Sequence, residues 1–140
     1  MKGIRPRWAA RRARGKPAIS VDDAELGVVV TAFDETEAAS AAMARAELWQ
    51  PEMPAVLRHH LALPERSIEA ARSVLAADGW ELRPGGRGAE HAAPDLTALV
   101  ALRVQRLDAL HCSQEGSRMA GLAQRHGGQS FGWDALQRLG

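Results

Sequence analysis

The chain has 140 residues and a mass of 15.1 kDa, enough for one domain with one core. Its 46% hydrophobic share excludes disorder throughout, yet 27 alanines and only six aromatic residues leave few rings to stack on bases or line a large cofactor pocket. The net charge of +1 hides a division: residues 1–20 hold seven bases and no acid, which leaves 11 bases against 17 acids in 21–140, a balance of −6.

Apolar runs such as residues 99–102 fall far below the roughly 20 residues a membrane-spanning helix needs. A single cysteine, Cys112, excludes an internal disulfide framework and fits a reducing cytoplasm. A secretory signal would follow its basic region with an apolar stretch, and residues 18–26 carry Asp22, Asp23 and Glu25 instead. The composition of 1–20 also fits a mitochondrial-type presequence, which is rich in arginine and poor in acids.

Residues 1–20 are punctuated by Gly3, Pro6, Gly15 and Pro17, so they read as a flexible basic arm, with a single domain over 21–140. Residues 25–33 (E-L-G-V-V-V-T-A-F) are rich in β-branched side chains and predict a buried strand. Asp34-Glu35-Thr36-Glu37 has the form of a capping box, predicting an alanine-rich helix over 34–48 that Pro51 and Pro54 stop. Residues 55–63 (A-V-L-R-H-H-L-A-L) predict a second strand. Pro64 suits a first helical position, Ile68, Ala71, Val74 and Leu75 follow at helical spacing, and Gly79 suits a left-handed cap. Residues 80–83 then predict a short strand and 84–88 a loop.

Residues 96–110 fit two templates. Leu96, Leu99, Val100, Val104, Leu107 and Leu110 would share a helical face, but Arg103 falls in its middle. Val100, Leu102 and Val104 alternate as in a strand, which is the favoured reading. A helix from about residue 113 ends at Gly127-Gly128, and residues 129–136 predict a closing strand. From residue 55 onward the order is β-α-β-β-α-β, the split βαβ order of ferredoxin-like folds, preceded by an extra strand and helix. The fold class is α+β.

Neighbouring His59 and His60 face opposite sides of a strand and cannot chelate one metal together. No zinc spacing is present, so no metal is expected; the remaining possibility is a site assembled from distant residues such as His60, His91, Cys112 and His126. There is no Gly-x-Ser-x-Gly elbow and no phosphate-binding Gly-x4-Gly-Lys-Ser/Thr loop. Gly85-Gly86-Arg87-Gly88 lacks a predicted helix behind it and reads as a hairpin connection. Cys112 beside His111 is a nucleophile–base pair in one dimension only. The chain therefore reads as a binding protein with no catalytic residue and no cofactor.

The arm is the strongest physical signal. Lys2, Arg5, Arg7, Arg11, Arg12, Arg14 and Lys16 can each displace a condensed counterion from a phosphate, and Trp8 among them can stack on an unpaired base. The same charges fit a solubilising tail or a contact with an acidic protein surface.

Residues 122–133, L-A-Q-R-H-G-G-Q-S-F-G-W, resemble the close of the regulator of ribonuclease activity B family, the ribonuclease E inhibitors. Members commonly end with a helix, a Gly-Gly turn, an aromatic residue and Gly-Trp, matched here by Gly127, Gly128, Phe131, Gly132 and Trp133. Residues 58–64 and 78–82 look like that family's first β-α-β unit. Ser130-Phe131 stands where the family commonly has Tyr-Asp, and a basic arm leads the chain where the well-known bacterial members are acidic. The resemblance covers about residues 55–136 and implies a ferredoxin-like fold and a cytoplasmic regulator of RNA metabolism. The expected partners are RNA or a ribonucleoprotein such as a ribosome or ribonuclease assembly, met through the arm, besides a protein partner or a second copy. The alternative is a protein–protein interaction module that pairs through its sheet without touching RNA. On a regular closing strand Phe131 and Trp133 share one face, in the core or as an exposed partner anchor.

Overall fold

The apolar runs of the sequence pair into one antiparallel sheet. The structure, a computed structural model, describes residues 19–139, so the arm's bases and Trp8 lie outside the described residues. The elements are β1 (Leu26–Ala32), α1 (Ala39–Ala44), β2 (Ala55–Leu63), a 3-10 turn (Glu65–Ser67) leading into α2 (Ile68–Ala76), β3 (Glu81–Pro84), α3 (Gly88–His91), β4 (Thr97–Gln105), α4 (Ala109–Arg125) and β5 (Gln129–Arg138). The strand order is β1-β5-β2-β4-β3, with every neighbouring pair antiparallel. The fold is α+β. Among the described residues no helix is long and apolar enough to cross a membrane.

β2 is the centre of the sheet, and its alternation builds two cores. Leu57, Leu61 and Leu63 turn to α2 and α4, where Leu75, Met119, Leu122 and Trp133 join them. Val56 turns to the other face with Val100 and Leu102, under Ile19, Val21, Leu26 and Leu136. The segment before β1 therefore straps this second face. Two ion pairs fasten it, Asp22 to Arg83 of β3 (2.7 Å) and Asp23 to Arg138 of β5 (2.6 Å). Buried Gln137 holds the chain entering β2 by accepting from the Gln50 amide (2.9 Å) and donating to its carbonyl (3.0 Å).

The structure makes residues 97–105 of the ambiguous 96–110 stretch a strand, with residues 109–110 already in α4, and corrects four other expectations. The helix predicted over 34–48 shrinks to six residues. Asp34 does not cap it; its carboxylate turns back to the amide (2.9 Å) and hydroxyl (2.6 Å) of Thr36, a local bond that competes with helix. Glu37 pairs with Arg45 (2.8 Å) and does not return to the chain start as a capping box requires. α4 begins at Ala109, four residues early, because Asp108 accepts from the His111 amide (2.8 Å). A short helix, α3, follows the glycine loop after β3, with a single turn. Finally, Phe131 and Trp133 do not share a face. Leu61 lies opposite Ser130 and His59 opposite Trp133, so three steps of β5 match two of β2 and the alternation resets.

Arg103 explains its own place on the helical side of β4. Its guanidinium lies 4.1 Å over the Trp80 ring and pairs with Glu115 of α4 at 2.5 Å. Trp133 is 5% exposed and sits in the larger core. Trp133→Ala is therefore expected to cost roughly 3–5 kcal/mol, the usual loss for a buried tryptophan. Urea titration followed by circular dichroism measures it, and an unchanged midpoint would remove Trp133 from the core.

Candidate functional site

Two charged positions interrupt the apolar middle of the sheet, and they face each other. Arg58 of β2 and Asp134 of β5 are register partners. The Asp134 carboxylate accepts from Arg58 Nε (2.8 Å) and Nη2 (2.5 Å), a two-pronged pair in which Asp134 is almost wholly buried. Its Oδ1 also meets His60 Nε2 at 3.0 Å. The other nitrogen of His60, Nδ1, accepts from the backbone amide of Arg87 (3.1 Å). Nδ1 must therefore be unprotonated, and Nε2–H donates to the carboxylate. Burial raises the Asp134 pKa, but the hydrogen bonds from His60 and Arg58 outweigh it and hold the carboxyl below its ordinary range.

This tie organises its surroundings. The His60 ring meets Phe33 edge-on, with centroids 5.4 Å apart, and the Arg87 guanidinium lies 4.0 Å over the same Phe33 ring. Beside them the Phe131-Gly132 irregularity bends β5. Gly132 adopts φ +87°, and any side chain there would drive into the backbone of Ala32 and Phe33. A cleft of about 900 Å3 opens between this bend, the 33–38 loop and one face of α4; Phe33, His59, His60, Arg87, Cys112 and Phe131 are among its walls.

Several titratable groups in and around the cleft are shielded by burial or tied to neighbours. Burial, with the nearby Glu115 charge, pushes the Cys112 thiol up to about 12, so it stays protonated at neutral pH. His111 donates its ring to Asp108 (2.6 Å) on the exposed start of α4 and forms no described bond to Cys112. Both nitrogens of His60 are engaged, one with Asp134 and the other with the Arg87 amide. His59 packs edge-on against Trp80 at 5.2 Å, and burial, with repulsion from His60 and Arg103, pulls its pKa down to about 3. Among the described residues no group of three or more His, Cys, Asp or Glu is placed to hold a metal. His60, His91 and Cys112 do share the cleft, whereas His126 caps α4 and accepts from Ser67 Oγ through its carbonyl (3.3 Å).

The Gly-Gly and Gly-Trp positions are placed as framework. Gly127 ends α4 at φ +76°, and a side chain on Gly128 would strike the Ala62 carbonyl. Phe131 is half-buried against His91, with centroids 6.5 Å apart. Sequence reasoning missed Arg58, Asp134, Phe33 and Arg87. A signal existed: Arg58 and Asp134 are lone opposite charges, each inside an apolar strand, and a buried charge needs a partner.

The histidine and the aspartate make separate acid transitions. Folded His59 takes a proton near 3 and the unfolded chain near 6.5, so stability is full above about 6.5 and falls with acid by up to about 1.4 kcal/mol per pH unit. Asp134, lowered in the folded state, adds a loss only below the ordinary aspartate value of 3.8. His59→Phe should flatten the melting-temperature profile between pH 6.5 and 4 and leave the steeper loss beneath it. Asp134→Asn should cost about 1.5–3 kcal/mol at pH 7 and blunt the loss below pH 4. Thermal melts across pH check both, and parallel profiles for all three proteins would refute the assignment.

No protein-family model and no curated relative matches the chain.

Proposed function

We propose that the chain is a non-enzymatic binding protein that regulates RNA metabolism, with a ferredoxin-like domain carrying a basic arm that contacts RNA, alone or within a ribosome or ribonuclease assembly. The strand order β5-β2-β4-β3 over residues 55–138, with α2 and α4 on one face, supports the ferredoxin-like reading. The Gly-Gly turn and the bend before Trp133 fit the likeness to ribonuclease E inhibitors in its structural part.

The observation that carries the functional reading is the segregation of charge. Arg58, Arg83, Arg103 and Arg138 are each paired with a carboxylate inside the domain, which has an acidic balance of −6 over residues 21–140. The seven bases of 1–20 have no acid among them. An RNA backbone would be repelled by the domain and drawn to the arm, with Trp8 available for an unpaired base. The first described residue, Ile19, packs on the strapped face of the sheet, so the arm is rooted there.

Deleting residues 1–17 keeps Ile19, Val21 and both strap ion pairs, so the melt should stay within about 2 °C of the full chain. Fluorescence anisotropy with a single-stranded RNA should give a log K against log salt slope of about −4 for the full chain, as six phosphate contacts imply. The truncated chain should lose most affinity and most of that slope. Equal slopes, or no RNA binding by the full chain at low salt, would refute the reading. Retention of a protein partner after ribonuclease treatment would favour the sheet-pairing module.

A further inference from the structure

Two polar side chains on the walls of the cleft have bonds that the protein leaves unmade. Among the described residues Arg87 is the only arginine or lysine in those walls. Arg58, Arg83, Arg103 and Arg138 each meet a carboxylate, and Arg87 meets none. Its guanidinium lies over the Phe33 ring, its Nε is buried, and its side-chain nitrogens have no hydrogen-bond partner among the described residues. A guanidinium seated on a ring keeps its N–H edge free, and that edge takes a carboxylate two oxygens at a time. His59 is 2% exposed on another wall of the cleft, and its Nε2 also lacks a partner among the described residues. Buried polar atoms are normally paired, so two on one cleft mark a place where a ligand can supply the missing bonds.

We propose that the cleft binds a small organic monocarboxylate, its carboxylate held by Arg87 and its apolar body laid against Leu61, Met119 and Phe131. The volume of about 900 Å3 is that of a small-molecule site. Charge on the opposite wall selects the ligand class. Asp34, Glu35 and Glu37 all border the cleft. Asp34 is taken by Thr36 and Glu37 by Arg45, while Glu35 has no partner among the described residues. One guanidinium balances one negative charge, and a phosphate dianion would bring a second against these carboxylates. A cationic ligand would leave Arg87 unpaired and set like charges together. Room for the body comes from Gly116 of α4, where an added side chain would meet nothing within 4 Å. The site uses none of the arm's bases, so it stands or falls apart from the RNA reading.

Phenylacetate titrated into the isotope-labelled full chain should shift the Arg87 Nε–H signal and the amides of Gly116, Phe131 and Gly132. The shifts should saturate in the millimolar range expected of so small a probe. Arg87→Gln should weaken binding about tenfold or more, and Arg87→Lys about threefold or more because the fork is lost, each with the rest of the spectrum kept. Gly116→Leu fills the cleft from α4 and favours the helix, so it should abolish the shifts with an equal or higher melt. Phenyl phosphate and phenethylamine at neutral pH should each bind at least about fivefold more weakly than phenylacetate. The absence of saturable shifts, or shifts that survive both Arg87→Gln and Gly116→Leu, would overturn the proposal. So would shifts confined to the arm, or a phosphate or amine probe that binds as tightly as the carboxylate.

Discussion

The polar contacts between the two central strands converge on one buried carboxylate. Asp134 lies almost out of water on the strand beside the centre, where an unpaired charge would cost several kcal/mol. Arg58 and His60 answer it from the neighbouring strand, and both are placed by the register of β2 against β5. A slip of one residue would send Arg58 and His60 to the helical face and leave Asp134 alone. The ion pair therefore specifies the register, and the register puts Trp133 and Leu61 under the helices. Through His60 Nδ1 the same carboxylate also fixes the loop that carries Arg87, and with it the wall of the cleft.

Legibility in the sequence followed the range of the forces involved. β2 was readable as a mostly apolar nine-residue run, and β5 from its aromatic and apolar middle, although its alternation is reset at the bend. The helix after β1 was misread because Asp34 and Thr36 bond locally, so the same residue types that start helices here postpone one. The β5 bend was invisible, since Gly132 between two aromatics reads equally well as a regular strand. The Arg58–Asp134–His60 tie joins residues more than seventy positions apart, and single-residue patterns carry no such pairing. The cleft follows from the bend and the tie, and neither of its causes is local.

The domain's polar chemistry is spent on holding itself together. Arg103 spans from β4 to Glu115, Arg138 and Arg83 fasten the strap, and Arg45 closes the turn around α1. Cys112 and His59 are held neutral by burial. Charge is divided along the chain, with seven bases and no acid in residues 1–20 against an acidic balance of −6 in 21–140.

The pairing of β1 with β5 has a consequence for how the protein is made. Leu26 meets Arg138 and Ala32 meets Trp133, so among the described residues β1 has its strand partner in β5, about a hundred residues later in the chain. At about 5–20 residues per second, the hundred or so residues between them take roughly 5–20 s to synthesise. During that interval three consecutive valines wait without a neighbour on either side. β2, β3 and β4 can close earlier, through the hairpin of β3 and β4 and the long β2–β4 ladder, and would present an unfilled slot beside β2. On synthesis in chain order β5 is the last described strand to arrive, and it has to insert between β1 and β2, a step of high contact order on which the burial of Asp134 also depends.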